Sequence, residues 1–312
     1  MTVMVKLSTS VLEELWFGED DPAVADGKAA DSLAAHLAEL EGLRPFPVVV
    51  QKVIACVAHP DFRMEQVRDL IEEDPALAAR VLRVANSAAF HARMPCASIQ
   101  DAIVRMGART VTDLASGMAA MTAFADLKGA GKAVREHCVG TAAIARALAY
   151  RMGDGAAPSL AFLVSLLHDI GKLLIMQTRH QSYAELVAAA VGIPDELHIQ
   201  EREFLGYDHA VLGGHVLVKW GLPYPVPKIV AWHHQPARAY QEGGPVAVLV
   251  AVLRIADVID TLVCRDKLSD GATLKRLAAG PDAIRGGIRE KDIVDTFSEA
   301  SALRGEALML FR

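Results

Sequence analysis

The sequence is poor in cysteine and in aromatic side chains, and positive charge is not in surplus. Four cysteines, Cys56, Cys96, Cys138 and Cys264, stand far apart with no CxxC pair. That spacing suits neither a disulfide framework nor a thiolate zinc site, and it fits reduced thiols in a cytoplasmic protein. Lys and Arg number 32 against 38 Asp and Glu, for a formal net charge of −6. Such a balance does not draw a chain to DNA or to an anionic membrane. The apolar runs Ser159–Leu167 and Pro245–Leu253 each reach about half of the ~20 residues that a membrane span needs. The N-terminus also lacks the basic start, apolar core and small-residue cleavage site of a signal peptide. Strand-like alternation is absent throughout.

What the sequence has is helical periodicity in almost every segment. Hydrophobic residues make up 52% of the 312 positions and charged ones 22%, enough to fill a sizeable core. Ala, Leu and Val dominate, which favours helices packed closely through small side chains. Start signals are clear. Asp74 before Pro75 reads as an N-cap with proline in the first turn, and Ser98 with Asp101 reads as a capping box. The spacing predicts an all-α fold of two packed helical subdomains, divided at the glycine-rich break Leu127–Lys132. The expected layout is a helical leader over 1–41, an N-terminal subdomain over 42–127, a second subdomain over 128–265 and a helical tail over 266–312.

Chemistry-bearing residues are unevenly spread. Between Arg80 and Arg109 lie five arginines, Arg80, Arg83, Arg93, Arg105 and Arg109, against the single acid Asp101. Arginine presents a rigid fork to phosphate, so the run is a candidate nucleotide or anion site, although exposed helix faces often carry such charge. The second half holds His137, His168, Asp169, Lys172, His209, His233, His234 and Asp257. Imidazole nitrogen with carboxylate oxygen suits Fe, Mn, Zn or Ni, and this set has room for one or two ions. His168 and Asp169 end an apolar helix, where successive side chains can turn toward one centre; inside a helix they would diverge by ~100°. Asp257 lies within an apolar helix, where an unpaired carboxylate costs several kcal/mol, so it needs a metal or a cation. His36, His180, His198 and His215 read as surface or packing residues.

The order His137, His168–Asp169, Asp257, with the segments LLHDIGKL and RIADVID, resembles the HD superfamily of metal-dependent phosphohydrolases. His209, His233 and His234 resemble the additional histidines of its HD-GYP phosphodiesterases. The stretches EDPALAARVLRVANSA and ASIQDAIVRMGARTV resemble the HDOD family, and the likeness runs from about Leu43 to Val263. The resemblance implies that the second subdomain is an HD-like helical bundle. It also implies a role in bacterial-type signal transduction, by binding a protein partner or a nucleotide. The alternative it implies is a metal-dependent phosphohydrolase or phosphodiesterase in which Asp169 and Lys172 take part in catalysis. Gln235–Pro236 follows His233–His234 where the HD-GYP pattern differs, so hydrolysis of cyclic dinucleotides is not expected.

Overall fold

Alanine, glycine and valine leave helices narrow, and narrow helices approach closely. The clearest case is Ala130–Arg151, where Cys138 through Arg146 is buried without interruption. Burial on every face means that this helix is enclosed, not half-solvated. Pro158–Leu167, Gly244–Cys264 and Glu290–Leu310 pack around it. The computed structural model describes residues 28–41, 47–59, 61–87, 95–178, 180–189, 197–265 and 271–311. Every regular element among them is helical, so the chain is all-α, as its periodicity predicts.

Val48–Ala58, Met64–Glu72, Pro75–Ala85 and Ile99–Met106 gather around Ala108–Thr122. Two of these helices begin where the local chemistry dictates. The Asp74 side chain accepts from the Ala76 and Leu77 amides at 3.0 and 3.1 Å, and Ser98 and Asp101 close a reciprocal capping box. Each cap satisfies amides that have no partner within the helix. The opposite side of Ala108–Thr122 lies on Pro158–Leu167, and Gly117 makes room there: a Cβ would fall 2.7 Å from Leu166 Cδ2. One continuous core therefore runs through both helical groups.

The flanking segments dock on the second group. His36, on Lys28–Glu41, is buried, pairs with the Tyr207 hydroxyl and lies 2.6 Å from Thr178 Oγ1. From Glu290–Leu310, Arg304 Nε donates to Asp260 Oδ1 at 3.1 Å. Pro158–Thr178 has the length and apolarity of a membrane span, yet 83% of its apolar window is buried inside the fold.

A cavity of about 170 Å³ lies between the two groups, lined by Ile54, Arg109, Asp113, Leu163 and Tyr224 among others. Burial pushes the Asp113 carboxyl up to about 7 from 3.8, with Arg109 pulling weakly the other way. Between those values the folded state holds a proton that the unfolded chain has released, so stability falls as pH rises through this window. Asp113→Asn removes the linkage. Its expected effect is a higher Tm than the parent at about pH 8 and no gain at about pH 4, read by scanning fluorimetry. An equal difference at both pH values would contradict the assignment.

Candidate metal centre

His168 and Asp169 sit in the turn between Pro158–Leu167 and Ile170–Thr178. The break lets both side chains point to one centre, with His168 Nε2 3.4 Å from Asp169 Oδ2. Gly171 follows because the chain passes very close to His209–Lys219: a Cβ on Gly171 would lie 2.0 Å from the His209 carbonyl oxygen. That close approach brings His209 Nε2 to 3.1 Å from Asp169 Oδ1. Val226–Trp232 ends on His233, whose Nε2 lies 4.0 Å from the same oxygen.

Asp169 thus stands between two groups of donors. Its Oδ2 faces His168, His137 at 4.0 Å and Lys172 Nζ at 2.7 Å. Its Oδ1 faces His209 and His233. The ligand atoms of His137, His168 and Asp169 lie within 4.8 Å of one another, as do those of His209, His233 and His234. Asp257 belongs to neither trio. It lies at the edge of the first, its Oδ1 2.9 Å from His137 Nε2. His234 Nε2 is 3.1 Å from His209 Nε2, and its ring stacks on His198 with centroids 4.3 Å apart.

The outer hydrogen bonds settle which nitrogen each ring offers. His168 Nδ1–H donates to the Ser165 carbonyl and His233 Nδ1–H to the Val230 carbonyl, both at 2.7 Å. His209 Nδ1–H donates to Glu201 Oε2 at 2.6 Å. A carbonyl can only accept, so these rings present Nε2 inward, the arrangement that fixes the tautomer in histidine metal ligands. Glu201 is fully buried and its charge is held by three donors: His209 Nδ1–H, the His209 amide at 2.8 Å and the Tyr183 hydroxyl. Burial opposes its ionisation, but His209, Lys172 and Tyr183 together keep the carboxyl below its usual range.

Burial likewise opposes the charge on Asp169, yet His168 and Lys172 hold it well below the ordinary carboxylate range. Burial lowers His209, but Glu201 and Asp169 bring it up to about 9. His137 is half-buried between two carboxylates, Asp257 at its Nε2 and Asp260 at its Nδ1 at 2.8 Å, and they raise it to about 10. His233 and His234 are pushed down by burial and by neighbouring imidazoles. A carboxylate set against protonated rings is a site in which a dication competes with protons.

The residues fit a divalent cation. Asp169 Oδ1 and His233 Nε2 are buried without a hydrogen bond, the 3.1 Å approach of His209 lacking the alignment of one. Two imidazole Nε2 atoms 3.1 Å apart match the spacing expected of rings that share one ion with bonds of about 2.0–2.1 Å. Oxygen and nitrogen donors together select Zn, Mn, Fe or Ni over Mg or Ca. Beside the cluster opens a pocket of about 420 Å³, lined by Ala133, Val134, Val187 and Leu197 and by the polar His137, Lys172, Asp257 and Arg265. Its size suits a small-molecule ligand.

Sequence reasoning missed Glu201 and Asp260. Asp260 carried a signal, since it is a second acid three residues after Asp257 in the same apolar helix. Glu201 carried none, for nothing in QEREFLGYDH marks it as the partner of a ring eight residues on. Glu201→Gln keeps the shape and an acceptor oxygen while removing the charge behind His209. Outer-shell losses of this kind typically cost ~10–100-fold in metal affinity. Calorimetry with Zn or Mn is expected to show that weakening with the fold intact, and unchanged affinity would refute the role.

The HDOD domain family's model matches residues 43–236. An uncharacterized protein of Treponema pallidum (strain Nichols) is 26% identical over 222 residues, which is 70% of this chain and 43% of that one. The chain therefore spans less than half the length of that relative. Among solved structures, a proposed phosphohydrolase from Shewanella amazonensis SB2B is 27% identical with a TM-score of 0.70, over 89% of this chain and 98% of that one. An HDOD domain protein of unknown function from Geobacter sulfurreducens is similar in fold, with 23% identity and a TM-score of 0.72 over 92% of this chain and 99% of that one.

Proposed function

The chain belongs to the HDOD family, and from that premise we propose that it is a cytoplasmic signalling protein whose HD-like half binds a divalent cation and hydrolyses a phosphate ester. The observation that carries this reading is the convergence of three tautomer-fixed Nε2 atoms, of His168, His209 and His233, on the buried carboxylate of Asp169. His137 and His234 complete the two donor trios. A divalent cation, when bound, supplies Lewis acidity toward a phosphoryl oxygen and lowers the pKa of a water.

The chain's own residues do the rest. Lys172 is paired with Asp169 at 2.7 Å and lines the pocket. With Asp169 engaged by a bound cation, the Lys172 ammonium would be free to hold a phosphate oxygen of the substrate. Asp257 and Asp260 hold the His137 ring from both nitrogens and so fix its orientation. Ala133, Val134, Val187 and Leu197 give the pocket an apolar wall that excludes water from the non-phosphate part of the substrate.

A second reading has its own observation. Lys172 already neutralises Asp169 without any metal, so the cluster closes its charges and can persist as packing in a module that only binds a protein partner or a nucleotide. Elemental mass spectrometry on chelator-free protein, with turnover of bis-p-nitrophenyl phosphate in Mn, Fe, Zn or Ni, separates the two. Stoichiometric metal with metal-dependent turnover supports hydrolysis. Protein that stays metal-free and inactive after incubation with all four ions overturns it in favour of the binding module.

A further inference from the structure

The run of arginines between Arg80 and Arg109 does not act as one patch. Arg93 lies outside the described residues. Arg105 donates to the Ala85 carbonyl, and Arg109 faces Asp113 in the cavity between the helical groups. Arg80 and Arg83, three residues apart and so on one helix face, are joined instead by Arg135 from Ala130–Arg151. These three line a separate cavity of about 170 Å³ together with Met118, Met121 and Phe311.

We propose that this cavity, where the N-terminal helices, Ala130–Arg151 and the end of Glu290–Leu310 meet, binds the phosphate group of a small phosphorylated molecule such as a nucleotide. Three arginines line it, and no acid is among the lining residues. Arg80 Nη1 is steadied by Thr122 Oγ1 at 2.5 Å. Among the described residues, Arg83 and Arg135 have neither a hydrogen-bond nor an ion-pair partner. The nearest acid in sequence to Arg135, Glu136, is taken by Lys132 at 3.6 Å.

Among the described residues, the one negative feature at the cavity is the C-terminal end of Glu290–Leu310 at Leu310 and Phe311. A helix end offers about half a charge, against three full positive charges. The excess of about two and a half matches a phosphate or diphosphate group, which arginine forks engage two oxygens at a time. The volume admits that group and little more, so the rest of the molecule lies outside the cavity. None of the residues lining it lines the pocket beside the metal cluster, so this site stands whether or not the cluster is catalytic.

The test is calorimetry on the full chain in the presence of EDTA, which removes any binding through metal at the histidine cluster. The probes are inorganic pyrophosphate and a linear nucleoside diphosphate, with sulfate at equal ionic strength as the control for simple screening. The expected result is saturable binding of a phosphate probe, weakened by at least ~10-fold in Arg83→Ala and in Arg135→Ala, since a charge-assisted hydrogen bond is worth about 1.5–3 kcal/mol. Binding that survives in Lys172→Ala supports the same placement. No binding of either probe, binding matched by sulfate, or affinity unchanged in both arginine variants overturns the proposal.

Discussion

Asp169→Asn is expected to strip the protein of divalent metal and to lower its melting temperature by several degrees at once. The two losses have separate causes. Metal is lost because Asp169 is the carboxylate that histidines of both trios face, Oδ2 toward His168 and His137 and Oδ1 toward His209 and His233. An amide has no charge to offset a dication. Stability is lost because, without metal, the same carboxylate neutralises Lys172 at 2.7 Å and the raised imidazole of His209. Breaking a buried pair by removing one partner costs about 3–5 kcal/mol. The lower end applies here, because the Lys172 side chain is 15% exposed and can turn to the water of the adjoining pocket. A loss of about 3 kcal/mol lowers Tm by several degrees in a chain of this size. Metal per chain by elemental mass spectrometry and Tm by scanning fluorimetry read the two effects independently. An Asn variant that retains metal at the parental stoichiometry would remove Asp169 from the centre.

Gly171→Ala should be the most damaging substitution of its size in the second helical group. The added methyl would sit 2.0 Å from the His209 carbonyl oxygen, 2.7 Å from its carbon and 2.9 Å from its Cα. All three are backbone atoms, so no side chain can swing away, and Ile170–Thr178 must separate from His209–Lys219. Overpacking of a tight core costs about 1–3 kcal/mol and occasionally more, and a collision with rigid backbone belongs at the upper end. The same separation moves His209 Nε2 away from Asp169 Oδ1, now 3.1 Å apart. The variant should therefore lose metal affinity as well as stability, which denaturant unfolding and metal titration would both register. Gly287→Ala is a useful contrast. Its φ of +66° strains any side chain, but nothing lies within 4 Å of the added methyl, so it should destabilise moderately and leave metal affinity unchanged.

Much of this architecture was legible from local signals. The start of Pro75–Ala85 follows from Asp74 and Pro75, and that of Ile99–Met106 from Ser98 and Asp101, because a cap is a matter of three or four consecutive residues. The turn at His168–Asp169 was legible for the same reason, as a polar pair at the end of an apolar run before glycine. Residue chemistry also picked out the histidines and aspartates as a set suited to metal.

The partners of those residues were decided by packing alone. Asp260 clamps His137 from 123 positions away and is itself held by Arg304, 44 positions further on. His36 reaches Thr178 across 142 positions. Periodicity says that a face is buried, never against what. The sequence by itself determined the helical class, the helix starts and the donor types. Only the tertiary structure decided that Asp169 stands between two groups of histidines, that Glu201 and Asp260 hold two of the rings, and that Arg80 and Arg83 line one cavity with Arg135. The reason is that a buried charge must be satisfied by whatever the fold brings within hydrogen-bond reach, and that neighbour is set by helix packing rather than by distance along the chain.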